Sequence, residues 1–152
     1  MSDLDELYQE VILDHNRRPR NFRVLESGRK LEGYNPLCGD RITVYVDTDG
    51  DVIREVTFQG AGCAISQASA SVMTTVLQGM KFADAEALFG KFQDMVTGKA
   101  GADPAALGEL AVLAGVQEFP TRVKCATLAW HTLRSLIEGR DKPASTERTD
   151  HV

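Results

Sequence analysis

At Gly60-Ala61-Gly62-Cys63 the spacing of the apolar residues switches from two to the helical period of about 3.6, and it does not switch back. Before that point Ile42, Val44 and Val46 alternate with Arg41, Thr43, Tyr45 and Asp47, which is the pattern of a half-buried strand. Asp47-Thr48-Asp49-Gly50-Asp51 is a hairpin signal, and Val52 to Gln59 supplies the returning strand, with Val52, Arg54, Val56 and Phe58 expected on one side. An earlier strand is expected near Arg29 to Glu32. After the switch, Ala68, Val72, Val76 and Leu77 share one helical face until Gly79. A second helix runs from about Asp84 to Val96. Pro104 opens a short helix through Leu107, Leu110 and Leu113 to Gly115, and a last helix runs from about Arg122 to Glu138, closed by Gly139. One helix precedes the strands, from about Asp3 to Asn16, with Leu4, Leu7, Tyr8, Val11 and Ile12 as its stripe and Ser2 and Asp5 as a capping pair. Strands first and helices afterwards predict an α+β fold, with a small antiparallel three-stranded sheet packed against a helical layer.

The 152 residues suffice for one domain with its own core, expected over 1–139. Residues 140–152 have no large apolar side chain before Val152 and mix Asp, Lys, Pro, Ser, Thr and Glu, so a disordered tail is expected there. No stretch from Ser2 to Arg18 resembles a signal peptide, and no apolar run would cross a bilayer, so a cytoplasmic protein without membrane contact is expected. A formal charge of -5 disfavours nucleic acid, because neutralising phosphates needs a basic face. Arg17-Arg18-Pro19-Arg20 is read as a solvent-facing helix end.

Three cysteines are an odd number, and a chain without a secretory signal has little use for a disulfide framework. In Cys38-Gly39-Asp40 the backbone is expected to be extended, so a thiol and a carboxyl two positions apart can point to the same side. Cys63 stands where a strand gives way to a helix, so helix N–H groups favour its thiolate, and Cys125 is expected in the first turn of the last helix. Three thiolates and a carboxylate suit tetrahedral zinc, and sulfur-rich ligation also suits iron–sulfur chemistry. Spacing alone leaves a small buried core residue as the alternative for each cysteine, since no CxxC pair occurs.

Three segments carry a more specific signal: Tyr34-Asn35-Pro36-Leu37-Cys38-Gly39-Asp40, the run from Gly60 through Cys63 to Ser71, and Phe119-Pro120-Thr121-Arg122-Val123-Lys124-Cys125-Ala126-Thr127-Leu128-Ala129-Trp130. In order, they resemble the three cysteine motifs of the IscU-like iron–sulfur assembly family, over about Leu4 to Glu138. Within it the chain is similar to the SufU branch. Lys124 precedes the third cysteine where scaffold members usually carry His, Phe119-Pro120-Thr121-Arg122-Val123 replaces their chaperone-binding Leu-Pro-Pro-Val-Lys, and the Gly98 to Glu118 region is an insertion typical of SufU proteins. The resemblance implies an IscU/NifU N-terminal-like fold and a zinc ion held by Cys38, Asp40, Cys63 and Cys125. It also implies a sulfurtransferase that accepts persulfide sulfur from a SufS-type cysteine desulfurase and passes it to a downstream iron–sulfur assembly complex. Cys38 is then the acceptor, released when the desulfurase offers a histidine to the zinc in its place, and Arg122 is a charged group near the site. The alternative within the family is a scaffold on which an iron–sulfur cluster is built.

Other suggestive residues take simpler readings. His15, His131 and His151 are expected at the surface, Lys124 toward solvent or a carboxylate, and Trp130 in the core. Asp47, Asp49 and Asp51 alternate as in a calcium loop, but the run enters a strand and lacks the closing Glu. A cysteine hydrolase is disfavoured because no histidine lies in the segments that build the site.

Overall fold

The computed structural model describes residues 3–36, 39–99, 101–102, 104–139 and 144–145. Helix α1 (Asp3–Arg17) is followed by strands β1 (Arg29–Asn35), β2 (Asp40–Asp49) and β3 (Val52–Ala61). Helices α2 (Ala64–Leu77) and α3 (Phe82–Val96), a 3-10 run (Pro104–Glu118), helix α4 (Pro120–Ile137) and strand β4 (Ala144–Ser145) complete the order. The fold is α+β, as the segregation of strands from helices predicts. β1, β2 and β3 form the expected antiparallel meander. The two residues of β4 lie parallel to β1 at Gly33 and Tyr34, giving the order β3-β2-β1-β4. The remaining residues of the 140–152 tail lie outside those described, as do Cys38 and His151. The Ser2 and Asp5 capping pair and the side chains of Leu4, Leu7 and Tyr8 also lie outside.

One face of the sheet builds the core. Leu31 pairs with Val44, Val44 with Phe58 and Val46 with Val56, so their side chains lie in one buried layer. α4 lies over β1 and β2, and α2 over β3. Gly33 is what lets α4 come close, because a Cβ there would collide with the Thr132 hydroxyl. α3 closes the far side, where Phe89 and Phe92 stack on Trp130 with centroids 5.7 and 4.8 Å away. Trp130 is a core residue, as its helical spacing predicts.

Four local expectations are corrected. Arg54 does not share a face with Val56: Asp47 pairs with Glu55 and Thr48 with Ile53, so Arg54 is the extra residue of a bulge. Ile53 takes the core position, and Arg54 turns outward to donate to Asp47 at 3.0 Å. The helix expected from Pro104 is a 3-10 run interrupted at Gly108, whose φ of 59° is left-handed. α4 begins at Pro120, a favoured first helical residue, which puts Cys125 in the second turn instead of the first.

His15 is the fourth correction. It is 2 % exposed and lies between α1, α2 and the 3-10 run. Its Nδ1 is 2.7 Å from the Ser71 hydroxyl and its Nε2 2.7 Å from the Glu109 carboxylate. Ser71 Oγ also accepts the Arg20 backbone N–H at 2.8 Å, so no ring nitrogen is buried without a partner. The basic cluster beside it behaves as expected, with Arg18 and Arg20 both paired to Asp14. These two guanidiniums hold the Asp14 carboxyl below its ordinary range, Arg20 first through its hydrogen bond.

Candidate metal centre

The site forms where the ends of β1 and β2 meet the beginnings of α2 and α4. Asn35 and Asp40 are the last cross-strand pair of the β1–β2 hairpin, and the Gly39 N–H donates to the Asn35 carbonyl at 2.8 Å. Gly39 has a left-handed φ of 74°, which glycine adopts without strain, so the backbone entering Asp40 is not extended as the sequence reading expects. Asp40 falls on the same face as Ile42 and Val44 and is 1 % exposed. A carboxylate so deeply buried needs donors, and the Cys63 backbone N–H supplies one at 2.8 Å to Oδ1.

Cys63 caps α2. Its backbone is extended, at φ -71° and ψ 166°, and its sulfur accepts the Ser66 N–H at 3.4 Å. The serine hydroxyl donates back to the Cys63 carbonyl at 3.1 Å. The Cys63 thiol is pulled down to about 6, chiefly by its hydrogen bond with Cys125. Burial opposes that shift, the Ser66 N–H adds to it, and the Asp40 charge works against it. Cys63 is therefore largely thiolate at neutral pH, the form that binds metals.

Cys125 is 1 % exposed on the inner face of α4. In the second turn it sits 3.5 Å from the Thr121 carbonyl, and the Asn35 side-chain N–H donates to its sulfur at 3.5 Å. One ligand atom each from Asp40, Cys63 and Cys125 lie within 4.8 Å of one another. The Cys63 sulfur and Asp40 Oδ2 are 3.9 Å apart. Ligands at Zn–S distances on a tetrahedron stand about 3.8 Å apart, so the donor set and its spacing fit zinc. The fourth candidate, Cys38, lies outside the described residues, two positions before Asp40 in the sequence.

Arg122 is exposed and lines, with Cys63, Cys125, Ile12 and Leu13, an open cleft of about 580 Å³. Its guanidinium lies 5.4 Å from the Phe119 ring centroid. His131 stands away from the site, edge-on to Phe89 at 5.1 Å. Asn35 and Ser66 are the site residues that ligand chemistry passes over, since neither is a metal ligand by type. Their signal in the sequence is position: one is three residues before Cys38, the other three after Cys63, the offset of an N-cap contact.

A family model described as the NifU-like N terminal domain matches residues 7–126. The zinc-dependent sulfurtransferase SufU of Bacillus subtilis (strain 168) is 44% identical over 132 residues, covering 87% of this chain and 90% of that protein. The iron-sulfur cluster assembly scaffold protein IscU of Streptococcus pyogenes serotype M1 is 41% identical over 138 residues, 91% of this chain and 87% of that one. Among solved structures, a candidate assembly scaffold for the SUF system of Fervidobacterium islandicum AW-1 superposes with a TM-score of 0.78 at 38% identity. It covers 85% of this chain and 95% of its own.

Proposed function

Because the chain belongs to the family of NifU-like N-terminal domains, we propose that it is a zinc-dependent sulfurtransferase of iron–sulfur cluster assembly, accepting persulfide sulfur from a SufS-type cysteine desulfurase. The observation that carries this reading is the meeting of Asp40, Cys63 and Cys125 at the base of the hairpin that bears Cys38. Asp40, Cys63 and Cys125 would hold the zinc from one strand and two helices, and Cys38 would be the fourth ligand. Bound zinc keeps thiolates deprotonated and tempers their nucleophilicity.

The chain's own residues divide the work. Asp40 on β2, Cys63 at the cap of α2 and Cys125 on α4 would hold the metal, and Cys38, which lies between β1 and β2 in the sequence, would take up the sulfur. In the transfer, the Cys38 thiolate attacks the outer sulfur of the desulfurase persulfide. A new S–S bond forms, the donor's S–S bond breaks, and the desulfurase cysteine leaves as a thiolate. Arg122, at the mouth of the cleft, offers a positive charge to the arriving anionic sulfur. The similarity to SufU of Bacillus subtilis supports zinc and the sulfurtransferase role. Among the described residues no helix is long and apolar enough to cross a membrane, in keeping with the cytoplasmic setting that belongs to this proposal.

The test is desulfurase turnover with and without the chain, alongside its metal content. The proposal expects about one zinc per chain and faster turnover in its presence. Acceleration by Cys38→Ala equal to that by the parent would contradict it. The similarity to IscU of Streptococcus pyogenes favours a second reading, a scaffold for an iron–sulfur cluster, since the same thiolates can ligate iron. Anaerobic reconstitution with iron and sulfide separates the two: a stable chromophore that transfers to an apo-acceptor supports the scaffold, and persistent colourless zinc protein rules it out.

A further inference from the structure

We propose that Asn35 is the positioning residue of the metal centre, holding the Cys125 sulfur of α4 against the end of β1. The inference rests on the metal-binding reading above. Asn35 ends β1 on the buried face of the sheet with no exposed surface. A buried amide is costly unless its hydrogen-bonding groups are used, and leucine or valine would fill that layer more cheaply. One side-chain connection to the site explains why an amide stands there, and two backbone connections place it. Its side-chain Nδ2 donates to Cys125 Sγ at 3.5 Å, its backbone pairs with Asp40, and its carbonyl accepts the Gly39 N–H at 2.8 Å. One residue thereby links Cys125 on α4, Asp40 on β2 and Gly39, the neighbour of Cys38 in the sequence.

The chemistry of the ligand set asks for such a donor. A divalent ion held by three thiolates and a carboxylate carries a formal excess of two negative charges, in a place where Asp40 and Cys125 are almost fully buried. N–H groups directed at the ligand atoms disperse that charge and fix the direction of their lone pairs. Cys63 has the Ser66 N–H, and Asp40 has the Cys63 N–H. Asn35 does the same for Cys125, and it does so from a side chain, so it can be removed by substitution whereas the two backbone donors cannot.

The test uses the full chain. Zinc affinity by chelator competition is compared for the parent, for Asn35→Asp, which keeps the shape and loses the N–H, and for Asn35→Ser, which stays neutral if a buried charge prevents folding. Both variants should lose about 10- to 100-fold in affinity, the usual cost of removing a group that orients a ligand. The parent is also loaded with ¹¹³Cd, and the Asn35 side-chain amide proton should show scalar coupling to the metal through the Cys125 sulfur. A fold defect alone would leave that coupling unexplained. A folded Asn35→Ser protein with parental zinc affinity, or a thiolate-bound ¹¹³Cd signal with no coupling to the Asn35 amide, would overturn the inference and leave the metal centre standing. A parent chain that binds neither ion would overturn both.

Discussion

Gly62 lies between the two groups that orient Cys63. A Cβ there would come 2.5 Å from Asp40 Oδ1 and 2.6 Å from Ser66 Oγ, closer than side chains pack. Gly62→Ala must therefore displace the carboxylate that accepts the Cys63 N–H. We predict a loss of zinc affinity of about tenfold or more, of the size seen when groups behind metal ligands are disturbed, with the helical content unchanged by circular dichroism. The Cys63 thiol gives a prediction in pH. Since it is pulled down to about 6, alkylation of Cys63 in the metal-free protein should rise through a midpoint near that pH. An ordinary thiol responds near 8.5. Peptide mass mapping across pH checks it, and an ordinary midpoint would mean that the Cys125 contact does not form. At this scale part of the candidate site was legible, because Asp40, Cys63 and Cys125, which the structure brings together, are ligand types at or near the starts of their elements. Asn35 was not, since an amide before a proline is equally at home in an ordinary turn and only the packing of α4 shows what its N–H meets.

Elements bring the ligands together, so their spacing is the next thing to disturb. α4 carries Cys125 and rests on β1 where Gly33 leaves room for Thr132. Gly33→Ala forces a methyl into that contact and should cost about 1–3 kcal/mol of stability, measured by urea denaturation of the metal-free chain. It should weaken zinc binding as well, because the helix that moves bears a ligand. His15 has a different task, joining α1 and α2 to the 3-10 run through Ser71 and Glu109. His15→Ala should destabilise the fold by about 1–3 kcal/mol, whereas Glu109→Gln, which keeps an acceptor at a half-exposed position, should cost less. Alternation and helical spacing were enough to find β2, β3 and the four α-helices. They could not show the bulge at Arg54, which depends on strand register, or the burial of His15, whose partners are 56 and 94 positions away in the chain. The 3-10 run escaped for a related reason. Leu107, Leu110 and Leu113 repeat every three residues, a spacing that an α-helical face and a 3-10 turn share.

For the whole molecule, Asp40, Cys63 and Cys125 join one sheet to two helices, so a metal held there, as proposed, would be linked to the fold. Saturating zinc at a hundredfold over its dissociation constant contributes about 2.7 kcal/mol, which for a chain of this size is roughly 5–10 °C in midpoint. Chelation should lower the thermal midpoint by that amount, read by calorimetry, and Cys63→Ser should behave like the chelated parent. The proposed function assigns unequal duties to the candidate ligands: Asp40 in a strand, Cys63 at a helix cap and Cys125 within a helix would hold the metal, and Cys38 would take up the sulfur. The measurement that bears most directly on this division is intact-mass analysis with peptide mapping, after incubation with the desulfurase and cysteine, for the parent and for each cysteine variant. The account predicts a gain of one sulfur atom on Cys38, lost in Cys38→Ala and retained in Cys63→Ser. Sulfur on Cys63 or Cys125 in the parent, or on no cysteine at all, would contradict it.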